Sequence, residues 1–222
     1  MGQLVVLEGL DGSGKSTQMG LLEAKMRGTG RRFLRVKAPD YESPSSALVQ
    51  MYLNGEFGDR PSDVNAYAAS TFYAADRYAC FQKKWRKAYS DGILVLADRY
   101  VSSNAIFQMA KLPRLEWDSY LAWLDDFEYG RLGLPRPDVT LYLDVPVAIS
   151  QQLLDRRYAA EGGRKDVHER DVAYQQLCHE AARYAAHSWH WNIISCASDG
   201  VLRPSEEIAQ EISGVLQTLS IM

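Results

Sequence analysis

The sequence predicts a three-layer α/β/α fold, with a five-stranded parallel sheet between two helical layers and a short flexible lid. Three observations carry that expectation. A short β-branched apolar run near the N-terminus stops at a glycine-rich turn and gives way to a helical pattern. The same alternation of strand and helix recurs along the chain, which is the signature of a parallel sheet covered on both faces. Finally, 222 residues with 46% hydrophobic and 24% charged side chains fit the size and composition of one globular α/β unit. Residues 1 to 222 are therefore read as a single domain.

The first strand takes residues 3 to 8 (Gln3-Leu4-Val5-Val6-Leu7-Glu8). A helix follows from Lys15 to about Arg27, where Met19, Leu22 and Met26 recur at three- and four-residue spacing and Gly28 is placed to end it. Further strands are expected at 33 to 37, 93 to 97 and 139 to 143, with a fifth around 191 to 195. Helical patterns occupy 63 to 90, 116 to 130, 146 to 157, 169 to 187 and 205 to 218. Residues 159 to 166 hold paired glycines beside Arg164 and Lys165, which suits a mobile flap and sets the lid at about 156 to 167. In such a sheet the active residues collect at the carboxyl ends of the strands.

Charge and cysteine content exclude several classes. With 25 basic and 28 acidic residues the net charge is −3, so no global field draws the chain to nucleic acid or to an anionic membrane, and phosphate binding must be local. Cys80, Cys178 and Cys196 are widely spaced and lack zinc-ligand spacing, which fits a reduced, cytoplasmic protein. The apolar run at residues 4 to 7 is too short for a signal peptide or a membrane span.

The local phosphate site is specific. Gly9-Leu10-Asp11-Gly12-Ser13-Gly14-Lys15-Ser16, followed by Thr17, matches the whole G-x-x-x-x-G-K-[ST] pattern between a predicted strand and a predicted helix, the context of a P-loop NTPase. Glycine lets backbone N–H groups converge on phosphate oxygens, and the helix start adds partial positive charge. Lys15 then reaches the terminal phosphates of ATP, and the Ser16 hydroxyl is expected on Mg²⁺.

Six further landmarks follow in order. They are Asp11 inside the loop, Ala38-Pro39-Asp40-Tyr41, Phe72-Tyr73-Ala74-Ala75-Asp76-Arg77, Asp98-Arg99-Tyr100, Pro135-Arg136-Pro137-Asp138, and a basic flap ending in Asp166-Val167-His168-Glu169. Together the chain resembles the thymidylate kinase family of P-loop nucleoside monophosphate kinases over residues 4 to 212. The resemblance implies transfer of the γ-phosphoryl group from Mg·ATP to dTMP, giving dTDP and ADP, in a homodimer with no nucleic-acid or membrane partner. It implies an acceptor site from Asp11, Pro39, Tyr73, Arg77, Arg99, Ser103, Asn104, Phe107 and Gln108. Tyr73 would stack on thymine, Arg77 would donate to its carbonyl, and Asp11 would meet the 3′-hydroxyl. Tyr73 and Arg77 are four apart and share a helix face. Arg99 would lie between acceptor and donor phosphates, with Asp98 orienting it or the metal's water shell, and Glu169 is taken as a further metal ligand.

Within the family an essential arginine comes from the P-loop or from the flap. Gly12 occupies the loop position, so the flap must supply it, with Arg157, Arg164 and Lys165 as candidates. Two departures stand out: Tyr41 lies where many members carry an arginine for the acceptor phosphate, leaving Arg99 and Lys37, and Phe107 replaces a tyrosine beside the 2′ position. The alternatives are a same-fold kinase for UMP, dUMP or a deoxynucleoside, and a nucleotide-binding switch without kinase activity. An Asn-Lys-x-Asp guanine-reading run is absent, which disfavours a GTPase switch.

Overall fold

The structure is a computed structural model that describes residues 1–162 and 166–222. Strand β1 (Leu4–Gly9) enters the P-loop and helix α1 (Lys15–Gly28), then β2 (Phe33–Lys37), α2 (Ala47–Leu53) and α3 (Ala66–Cys80) follow. A five-residue π-helical turn (Phe81–Trp85) joins α3 to α4 (Arg86–Ser90), ahead of β3 (Leu94–Asp98), α5 (Ser102–Phe107) and α6 (Trp117–Leu124). The second half holds β4 (Val139–Asp144), α7 (Val147–Glu161), α8 (Val167–Arg170), α9 (Val172–Ser188), β5 (Asn192–Ser195), the pair β6 (Ala197–Ser198) and β7 (Val201–Leu202), and α10 (Ser205–Thr218).

The sheet order is β2-β3-β1-β4-β5, and every pairing is parallel. β1 lies at the centre, and its side chains alternate between two cores as a period of two requires. Leu4 and Val6 join the cluster under α3, α5, α6 and α9, while Val5 and Leu7 join the cluster under α1 and α10. Two-sided burial explains why this strand reads as a continuous apolar run. Its one charged residue, Glu8, is also fully buried.

The strands and the long helices stand where the apolar pattern puts them, within a few residues. The expected helix at 63 to 90 starts later, at α3, because the Asn65 side chain accepts from the Ala68 N–H and caps it there. The π turn then breaks it. α2, α5 and the small β6–β7 hairpin carry no long periodic signal and lie outside the predicted elements; α5 is buried along its whole length, so its pattern is not amphipathic. Among the described residues no helix is long and apolar enough to cross a membrane.

Candidate active site

The carboxyl ends of β1 and β3 meet over the P-loop. Gly9, Gly12 and Gly14 all have positive φ (159°, 76° and 81°), conformations that cost other residues free energy. Gly12 also has no room for a side chain, since a Cβ there would lie 2.3 Å from the Ser150 carbonyl oxygen. The Lys15 ammonium donates to the carbonyls of Gly9 (2.9 Å) and Leu10 (2.7 Å), so it is held within the loop. Burial, and after it the charge of Arg99, pull its pKa down to about 8. A polyanion placed against it would reverse that shift.

Two cavities open from this point. The first is lined by Asp11, Gly12, Ser13, Gly14, Lys15, Ser16 and Thr17 of the P-loop region together with Lys37, Asp98, Arg99, Leu153 and Arg157. The second brings together all nine acceptor-site residues expected from the sequence: Asp11, Pro39, Tyr73, Arg77, Arg99, Ser103, Asn104, Phe107 and Gln108. Ala38, Tyr41, Leu53, Asp166 and His168 complete its wall. Asp11 and Arg99 belong to both cavities and form the partition between them.

Arg99 takes a left-handed backbone (φ 70°) just past β3, an uncommon conformation for a residue with a Cβ. Its guanidinium bonds the Asp11 carboxylate and, at 3.2 Å, Glu8 Oε1, and it covers the Phe107 ring at 5.1 Å. Burial works against its charge, but the carboxylates of Asp11 and Glu8 outweigh burial and raise its pKa. In return, although burial pushes the Asp11 carboxyl up, Arg99 and then Lys15 hold it below the usual range.

By sequence alone Glu8 is only a residue of the first strand. Its Oε1 accepts from the Gly9 N–H (3.0 Å) and Arg99, and its Oε2 accepts from the Ser102 and Ser103 hydroxyls (both 2.8 Å). A carboxylate so enclosed sets the position of Arg99, and the available signal was a glutamate inside an otherwise apolar strand. Ser103 lines the second cavity while its hydroxyl serves this buried carboxylate.

Other expected residues make different contacts from those anticipated. Asp98 does not bond Arg99; its Oδ2 accepts from Arg35, 3.4 Å away on the neighbouring strand β2, because parallel pairing sets the two side chains near one another. Arg77 does not present a free fork, since its Nε and Nη2 donate to Glu128 at 2.7 and 2.5 Å with side-chain exposures of 3% and 0%. Asn104 Nδ2 donates to the same carboxylate at 2.9 Å. Asp76, beside Arg77, accepts from the Asp40 N–H (2.8 Å) and the Ser45 hydroxyl (2.6 Å), which ties the loop after β2 to α3. Gln108 Oε1 is buried in the second cavity's wall and has no protein partner.

Glu169 does not line the first cavity. Its oxygens accept from Arg157 (2.8 Å), the Tyr158 hydroxyl (2.5 Å) and the Asp166 N–H (3.2 Å), the last being one half of a capping box on α8. It thereby holds Arg157, which lines the first cavity. Arg164 and Lys165 lie outside the described residues. Lys37 lines the first cavity and is absent from the wall of the second, so among the described residues Arg99 and Arg77 supply the positive charge there.

Among the described residues no cluster of three or more His, Cys, Asp or Glu side chains could hold a metal by itself. Mg²⁺ does not require one, because it keeps water and phosphate oxygens and takes one or two protein ligands. The exposed Ser16 hydroxyl and the Asp98 carboxylate, both lining the first cavity, fit that demand.

Comparison with known proteins gives a consistent result. A family model described as thymidylate kinase matches residues 7–208. The thymidylate kinase of Mycobacterium tuberculosis is 32% identical over 201 residues, covering 88% of this chain and 92% of that protein. The thymidylate kinase of Leifsonia xyli subsp. xyli is 33% identical over 218 residues, which span 95% of this chain and 92% of that protein. Among solved structures, a thymidylate kinase from Candida albicans shares the fold with a TM-score of 0.74 at 22% identity, covering 99% of this chain and 93% of that one.

Proposed function

Because the chain belongs to the thymidylate kinase family, we propose that it transfers the γ-phosphoryl group of ATP to dTMP, giving ADP and dTDP. One observation carries the reading: Asp11 and Arg99 stand at the boundary between a P-loop cavity and a second, aromatic-walled cavity. A donor phosphate in one and an acceptor phosphate in the other would meet at a guanidinium already fixed by Glu8 and Asp11. Electrostatic groups fixed in advance lower a barrier because they need no reorganisation as charge shifts.

The acceptor phosphate is ionised near neutral pH, so no strong general base is required. Lys15 and Arg99 bind and neutralise phosphoryl oxygens, and Arg157 closes from the lid side. Ser16 and Asp98 would hold Mg²⁺, which, when bound, screens the charge of the phosphate oxygens. At the far end of the second cavity Tyr73 supplies a flat face for a pyrimidine. The unpartnered Gln108 Oε1 matches a base N–H. With its fork held by Glu128, Arg77 acts as a charged floor beneath the base edge.

Two copies are proposed to pair through α3, whose Tyr67 and Tyr78 are exposed; sedimentation at micromolar concentration tests this. The three free cysteines support a reducing, cytoplasmic setting, since all are buried and unpaired. The deciding experiment is ADP release coupled to a panel of monophosphates with Mg·ATP. Turnover highest on dTMP is expected, and equal turnover with and without any acceptor refutes the reading.

A further inference from the structure

One wall of the second cavity has no part in the scheme above. His168, in α8, lines that cavity and is 4% exposed. Its ring lies parallel to that of Phe107, with centroids 5.7 Å apart and 12° between planes, and Arg99 covers the same Phe107 ring. His168 therefore stands near the Arg99 end of the cavity, where the sugar of an acceptor would follow its phosphate.

A buried chain of donors fixes this imidazole. Lys111 Nζ donates to the Tyr52 hydroxyl at 2.7 Å and to the Val64 carbonyl at 3.0 Å. Tyr52 has a single proton, which can go to His168 Nε2 at 2.7 Å or to the Pro61 carbonyl at 3.4 Å. Taking the shorter contact as the Tyr52 bond leaves Nε2 accepting and the ring proton on Nδ1. Among the described residues Nδ1 has no hydrogen-bond partner. The space that His168 lines is the cavity, so an N–H on Nδ1 is placed to donate to a ligand held there.

Resting on the reading of that cavity as the acceptor site, we propose that His168 donates its Nδ1–H to the 3′-hydroxyl of the bound nucleotide, with Tyr52 and Lys111 as positioning residues that set its tautomer. A 2′-deoxynucleoside 5′-monophosphate has one sugar hydroxyl. That group can accept from an imidazole N–H while donating to a carboxylate, and Asp11 lines the same cavity.

The test joins a kinetic cycle to a spectroscopic one. In the kinetic cycle, dTMP and 3′-deoxythymidine 5′-monophosphate are compared as acceptors for the wild type and for His168→Phe, which keeps the stacked ring but removes both nitrogens. The wild-type preference for dTMP in kcat/KM is expected to shrink about 3- to 10-fold in the variant, the value of one neutral hydrogen bond. An unchanged preference overturns the contact. In the spectroscopic arm, ¹⁵N shifts of the His168 ring without nucleotide are expected to show a protonated Nδ1 and a bare Nε2. Tyr52→Phe should move the proton toward Nε2. A wild-type ring protonated on Nε2 overturns the proposal even if His168→Phe fails to fold. Wild-type protein that transfers nothing to dTMP overturns the acceptor reading and this contact with it, a result distinct from an active enzyme whose preference ignores His168.

Discussion

Replacing Glu128 with Ala strips Arg77 of both bonds from its fork to a carboxylate, at 2.7 and 2.5 Å, and takes from Asn104 a third at 2.9 Å. Both charges are almost fully enclosed. Burial opposes the Arg77 charge, and the nearby Glu128 carboxylate does most to turn the balance and raise its pKa. Removing one partner of such a pair leaves an uncompensated buried charge and costs about 3–5 kcal/mol. For a domain of this size each kcal/mol moves Tm by about 2–4 °C, so Glu128→Ala should melt about 6–20 °C below the wild type. Differential scanning calorimetry and urea titration measure it, and the KM for dTMP should rise because Arg77 and Asn104 lose their shared anchor. The double variant Arg77→Met/Glu128→Leu should recover most of the stability, since an apolar pair of similar volume leaves no charge unpaired. A Glu128→Ala loss under about 1 kcal/mol, or a double variant no more stable than Glu128→Ala, would refute the reasoning.

Four other outcomes are expected. Lys15→Ala should cut kcat by about 100- to 1,000-fold while leaving the fold intact by circular dichroism, as for other fixed donors to transferring charge. Gly12→Ala should destabilise by more than the dihedral cost of about 1–2 kcal/mol. It should also exceed Gly14→Ala in urea melts, because a Cβ at Gly12 meets the Ser150 carbonyl whereas one at Gly14 meets nothing within 4 Å. Glu8→Gln should cost about 1.5–3 kcal/mol of stability through its charge-assisted bonds and lower kcat more than it raises the KM for ATP, read in steady-state kinetics. Lys111 has its pKa lowered to about 7, chiefly by burial, so above pH 7 the unfolded chain binds the extra proton. Stability from this residue should therefore rise between pH 7 and 10.5, and Lys111→Met should flatten that slope in melts across the range.

Much of this protein was legible from residue order alone. The P-loop announces itself because phosphate binding needs glycines, a lysine and a hydroxyl at fixed spacing on one strand–helix junction, and spacing is a property of sequence. The parallel sheet is legible for a similar reason: strands buried on both faces become short apolar runs, and Leu4, Val5, Val6 and Leu7 divide between two cores without any change of residue class. The nine residues that the family resemblance implies for an acceptor site are gathered by the fold into one cavity.

Tertiary structure decided which partner each charge takes. Nothing local links Arg77 to Glu128, 51 residues away, or Arg99 to Glu8, 91 residues away. Asp98 meets Arg35 because the β2–β3 register puts Lys37 opposite Asp98 and Arg35 two residues away on the same face, and Glu169 bonds Arg157 and Tyr158 because α8 packs back on the end of α7. The Lys111–Tyr52–His168 chain likewise draws on three separate segments. A charge taken from water must find an opposite charge or a hydrogen bond within a few ångströms, and the distance that matters is through space. Sequence therefore determined the elements and the kinds of chemistry available, whereas the arrangement of the buried polar groups followed from the folded chain.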